Sequence, residues 1–219
     1  MLKNSLRLFC LVALLCSVAS GCATGRAAIY KVQEKFGYEK RDILVSRVKS
    51  ARDEQDAAKK QFKTTLQRFQ EVTNFNGGEL EAKYKKLNAE YVRCQNEAEA
   101  VSSRITKVET VAHDMFAEWA TENREYTDND KRRTSERLLA ETKTKYEKLI
   151  SLMKNSEAKM KPVLAKFNDN VLFLKHNLNA SAISSLQGTA TQMETDVQGL
   201  IKDMETSIAE ADSFVSQMK

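Results

Sequence analysis

Apolar residues recur along most of this chain at alternating intervals of four and three. The pattern is sharpest from Leu80 to Tyr126, through Leu80, Tyr84, Leu87, Tyr91, Cys94, Ala98, Val101, Ile105, Val108, Ala112, Met115, Trp119 and Tyr126. A mean interval of about 3.5 residues is that of a helix lying along its length against partner helices. Residues 39–73 carry the same alternation in Leu44, Val48, Ala51, Gln55, Ala58, Phe62, Thr65 or Leu66, Phe69 and Val72. The five residues from Asn74 to Gly78 between these stretches suit only a reversal, so the two helices form an antiparallel hairpin. Thr127, Asp128, Asn129 and Asp130 offer caps for a third helix, which runs to about Asn177 with Leu139, Tyr146, Leu149, Met153, Met160, Val163, Phe167, Val171, Leu174 and Leu178 along its inner face. Pro162 interrupts one backbone bond there and predicts a kink rather than an end, because the spacing resumes at once. A second reversal is expected at 177–181. A fourth helix then carries Ile183, Leu186, Ala190, Met193, Val197, Leu200, Met204, Ile208, Ala211 and Val215.

These seams predict an all-α fold: an elongated, antiparallel, coiled-coil-like bundle of four long helices in one domain, 39–219. The alternative merges the last two helices into one rod. One proline and seven glycines among 219 residues leave room for few turns and argue against a sheet protein.

The N-terminus changes the picture. Lys3 and Arg7 precede an apolar run from Leu8 to Val18, which reads as a secretory signal. Ala19, Ser20, Gly21 and Cys22 then resemble a bacterial lipobox, so residues 1–21 are expected to be removed and Cys22 lipidated. Acyl chains, at about 0.8 kcal/mol per buried CH₂, would hold the protein on a membrane. Ala23 is not the aspartate that retains lipoproteins in the inner membrane, so the expected address is the outer membrane, facing the periplasm. Residues 22–38 read as a lipidated tether with a short amphipathic helix on Ile29, Val32 and Phe36, closed by Gly37. Of the four cysteines only Cys94 would remain free, in the apolar seam. Loss of Lys3 and Arg7 lowers the net charge of +5, and nothing in the remainder argues for nucleic acid.

Candidate chemistry is sparse. His113 follows Glu109 by four residues and adjoins Asp114, but two ligands on one helix face do not make a metal site, and no metal or cofactor is expected. His176 reads as a surface or capping residue. No glycine-rich phosphate loop is present, and the serines and carboxylates fall at spacings that support helices. Two surface features stand out. Val171, Leu172, Phe173 and Leu174 are consecutive and cover more than one helix face; with Phe75, Val171, Leu172 and Phe173 form a candidate partner-binding tip away from the lipid anchor. Lys35, Lys40 and Arg41, with Lys131, Arg132 and Arg133 of the second turn, form a candidate basic collar against anionic lipid.

Several stretches resemble one bacterial family of unknown function, numbered 2959. These are Lys40 to Val45; Phe75-Asn76-Gly77-Gly78 with Leu80 to Tyr84; and Phe173 to Ala180. The resemblance spans nearly all of the chain after the signal and implies long coiled segments behind a lipoprotein signal. It implies no activity and assigns no functional residue.

The expected function is therefore a non-catalytic structural or adaptor lipoprotein that contacts an unidentified envelope protein. The competing expectation is a bundle that opens to hold a lipid or other apolar ligand, with Met153, Met160, Met193 and Met204 loosening its core. Monomer and homo-oligomer are both open.

Overall fold

The computed structural model describes residues 39–75 and 77–218. Contacts divide the chain into two compact units, Met1–Ile43 and Leu44–Lys219. Five helices are present among the described residues: α1 (Lys40–Thr73), α2 (Leu80–Glu122), α3 (Asn129–His176), α4 (Ala180–Ser185) and α5 (Gln187–Gln217). The described residues contain no strand, and the all-α bundle of four long helices expected from the seams is the fold.

Local sequence sets each boundary. Gly77 and Gly78 take φ values of 132° and 101°, a region open to glycine and costly for any side chain, and so reverse the chain between α1 and α2. Asp128 caps α3 by accepting hydrogen bonds from the backbone N–H groups of Asp130 and Lys131. Asn179 caps α4 through the N–H of Ala182, so the second reversal falls where the cap residues cluster, and α3 and the last helix are separate. The last helix begins as the single short α4 and re-forms as α5 after Leu186. Helix α3 carries through Pro162. One boundary differs from the sequence expectation: α2 ends at Glu122, and Tyr126 is 42% exposed in the turn rather than in the seam. The heptad count reached Tyr126 only by passing through polar Glu122, and the backbone turned there instead.

Cross-helix bonds fix the arrangement of Leu44–Lys219. Gln61 donates to the Glu90 carbonyl (3.1 Å) and Arg104 pairs with Glu54 (3.1 Å), which sets α1 antiparallel to α2. Tyr91 Oη donates to Asn168 Oδ1 (3.1 Å) and Lys154 pairs with Glu109 (2.9 Å), joining α2 to α3. Lys148–Glu210 at 2.6 Å, with Lys159–Asp203 and Lys166–Asp196, joins α3 to α5. Arg52–Asp212 at 2.9 Å closes the ring from α5 to α1. The order around the bundle is therefore α1, α2, α3, α5, each antiparallel to its neighbours, in up-down-up-down topology.

The core is the union of the four seams. Leu44, Phe62, Phe69, Leu87, Ile105, Leu149, Met153, Phe167, Leu174, Met193, Leu200 and Phe214 are each at most 2% exposed. Each contributes about 1.5–3 kcal/mol by leaving water. Diagonal helices meet at the centre, where the rings of Phe69 and Phe167 stand edge to face at 6.3 Å. The choice between Thr65 and Leu66 goes to the polar residue: Thr65 is fully buried and donates to the Gln61 and Glu90 carbonyls (2.9 and 3.2 Å), while Leu66 is half-buried. Strict spacing from Phe62 and Phe69 outweighs the hydrophobicity of one side chain. Gln55 is the other polar seam position and is also fully buried. Its Nε2 donates to Ser156 Oγ (2.7 Å) and its Oε1 accepts from Ser207 Oγ (2.9 Å), so a closed polar layer links α1, α3 and α5.

Candidate functional site

Between α2 and α3 the bundle surface opens in a groove of ≈ 960 Å³. Small side chains make it: Ala98 and Ser102 on α2 oppose Ala158 and Ala165 on α3, and cannot fill the space between two helix axes. Tyr91, Met160 and Leu164 supply an apolar floor, and the Tyr91–Asn168 hydrogen bond closes one end. Glu99 and Lys161 stand on opposite walls, both exposed. Counting from Tyr91 and Asn168, eight residues along α2 and seven back along α3 bring them to one level, about 11–12 Å away. Among the described residues neither forms an ion pair within 4 Å, whereas the other lysine lining the groove, Lys154, is matched by Glu109. Sequence reasoning did not find this groove. Tyr91, Ala98 and Met160 belong to the seams and the other lining residues flank them, and only the pairing of α2 with α3 sets small residues opposite small residues.

The candidate tip is divided by the fold. Val171 and Leu174 are 6% and 0% exposed and belong to the core, while Leu172 and Phe173 are 54% and 39% exposed on the outer side of α3. Phe75 is half-buried in the α1–α2 turn with the Lys83 ammonium 5.5 Å from its ring centre. Both turns lie at the same end of the bundle, because α1 and α3 run parallel through Gln55–Ser156 and Phe69–Phe167.

Of the candidate collar, Lys35 lies outside the described residues. Lys40 and Arg41 belong to the first compact unit, Arg41 pairing with Asp42 at 3.8 Å, and Lys131, Arg132 and Arg133 belong to the second. Lys131 lies 3.8 Å from Asp128. Five bases between residues 122 and 137 (Arg124, Lys131, Arg132, Arg133, Arg137) are matched by Glu122, Glu125, Asp128, Asp130 and Glu136, so this turn has no net positive charge. Beneath it, Trp119 donates to Ser135 Oγ (2.8 Å), which donates to Asn123 Oδ1 (2.6 Å), and this chain ties the turn to both helices. Cys22 lies outside the described residues.

No group of three His, Cys, Asp or Glu side chains able to hold a metal occurs among the described residues. His113 is exposed beside Asp114 (3.2 Å), and Glu109 turns instead to Lys154. His176 ends α3 on the surface. Burial pushes the Cys94 thiol up to about 12, so it stays protonated and unreactive. Glu97 is raised by burial and by the neighbouring Glu54, which Arg104 in turn neutralises. No helix among the described residues is long and apolar enough to cross a membrane.

A family model described as a protein of unknown function (DUF2959) matches residues 29–218. The chain belongs to that family. The match takes in all five helices and both turns at the α1–α2 and α3–α4 reversals, so the DUF2959 region and the bundle coincide. No curated protein and no solved structure matches the chain.

Proposed function

We propose that this DUF2959 chain is a non-catalytic adaptor of the bacterial envelope, a lipid-anchored rod on the periplasmic side of the outer membrane that works by holding another protein. The observation that supports it is the exposure of Leu172 and Phe173 beside the α3–α4 reversal, on a surface where few other large apolar side chains face water. Two adjacent apolar side chains on a rigid helix end suit an anchor-and-pocket contact. The anchor half of the reading rests on the lipobox at Cys22.

Photocrosslinkers placed in cells at Phe173 and, as a control, at exposed Lys145 test the contact. A discrete adduct from position 173 alone supports the adaptor; equal patterns from both positions overturn it. Labelled palmitate on the wild type but not on Cys22→Ser tests the anchor separately.

The groove between α2 and α3 favours a second reading, a bundle that holds an apolar chain. Met153, Met160, Met193 and Met204 are at most 2% exposed, and Met160 reaches the groove floor, where such a ligand would lie. Native mass spectrometry of the purified chain, read for bound lipid, tests this.

A further inference from the structure

The groove has two properties that an acyl chain leaves unanswered: opposite charges stand unpaired on its two walls, and exposed apolar residues continue its line. Glu99 and Lys161 face the opening at one level without a partner among the described residues. Leu172 follows Asn168 by four residues, and Val92 precedes Gln95 by three and Glu99 by seven, so both extend the groove-facing stripes of their helices. They are 54% and 46% exposed.

We propose that the α2–α3 groove is where a second copy of this chain docks, side by side and parallel, about a two-fold axis that runs along the bundle. The charges argue for this occupant and this axis. Rotation about an axis parallel to the helices sets α2 of one copy on α3 of the other at an unchanged level, so Glu99 of each copy meets Lys161 of its mate twice over. A two-fold axis across the helices at this level sets α2 on α2 and α3 on α3, and opposes Glu99 to Glu99 and Lys161 to Lys161. The apolar residues agree with the parallel axis. Val92 of one copy and Leu172 of the other differ in level by about 7.5 Å, and each side chain leans toward its own helix N-terminus, which here means toward the other. The exposed Ala158 and Ala165 let the facing helices approach, and α2 and α3 of both copies form a second antiparallel four-helix set.

The face from Asn88 to Ser102 and from Lys154 to Leu172 is up to about 27 Å long and two helices wide, roughly 500 Å² per copy, which is near the lower limit for specific association. This inference shares Leu172 with the adaptor reading but is carried by Glu99 and Lys161, whereas Phe173 lies outside the groove lining.

The test is native mass spectrometry of the full chain in mild detergent, which reads copy number and bound lipid together. The wild type is expected as a dimer. Glu99→Lys and Lys161→Glu, each alone, place like charges at both contacts and are expected to weaken the dimer at least about tenfold. The double variant restores it. Mixing the two single variants gives the mixed dimer, in which every contact again pairs opposite charges. A wild-type monomer, a dimer indifferent to all of these changes, or a monomer carrying a bound acyl chain would overturn the proposal. Both sites are exposed, and recovery in the double variant and the mixture separates lost contact from lost fold.

Discussion

The two flanks of α3 differ. Toward α5 the seam is filled: a recess of ≈ 280 Å³ there is walled by Val163 and Leu200 and bridged by Lys159–Asp203 and Lys166–Asp196. Toward α2 the recess is ≈ 960 Å³, with Ala98 and Ser102 set across from Ala158 and Ala165, and Glu99 and Lys161 stay apart. One helix with the same 3.5-residue rhythm thus has a sealed side and an open side. The size of the residues flanking the seam, more than the seam itself, decides which face of a bundle is left for another molecule.

Substitutions break or sharpen this contrast. The largest effect is expected from Leu200→Ala on the sealed side, a loss of about 2–5 kcal/mol in denaturant titrations, against less than about 1.5 kcal/mol for half-buried Leu164→Ala on the open side. Equal losses would erase the distinction. Next is filling: Ala211→Leu in the closed α5 seam is expected to cost about 1–3 kcal/mol, whereas Ala165→Leu in the groove changes the stability of a single bundle by no more than about 0.5 kcal/mol.

The polar layer gives a smaller and reversible effect. Gln55→Leu leaves the Ser207 hydroxyl buried without its acceptor and is expected to cost about 1–3 kcal/mol; adding Ser207→Ala recovers most of it. If the second change deepens the loss, the layer works by packing and not by hydrogen bonding.

The smallest effect is in acid. Burial raises the Asp196 carboxyl, but hydrogen bonds from Lys166 and Gln192 outweigh it and hold the group below its ordinary 3.8. Its contribution is therefore present above pH 3.8 and disappears as pH falls through the lowered folded value. Glu97 has the opposite sign, because a raised carboxyl favours the folded state in acid and loses that contribution as pH rises through the folded value. Asp196→Asn is expected to flatten the acid limb of a melting-temperature profile, and Glu97→Gln to raise the melting temperature at neutral pH. A profile unmoved by Asp196→Asn would show that the bridge on the sealed side carries no stability.

Much of this was open to inspection in the chain itself. The four long helices, the three reversals, the caps at Asp128 and Asn179 and the burial of Cys94 follow from local rules, since spacing, glycine and capping side chains act within a few residues of where they stand; the break at Leu186 that sets α4 apart from α5 was not foreseen. The end of α2 was misplaced by four residues because one aromatic at heptad distance mimicked another turn of helix. The consecutive apolar run at 171–174 announced that something faced outward, but not that Val171 and Leu174 turn in while Leu172 and Phe173 turn out.

What the sequence determined alone is the rhythm, and with it four rods, their antiparallel order and which residues are dry. Which rods are neighbours, that Gln55, Ser156 and Ser207 share one layer, and that Ala98 and Ser102 look across at Ala158 and Ala165 were decided only in three dimensions. Periodicity is a property of one helix, whereas a groove or an unmatched charge is a property of two, fixed by the rotation and level at which they meet.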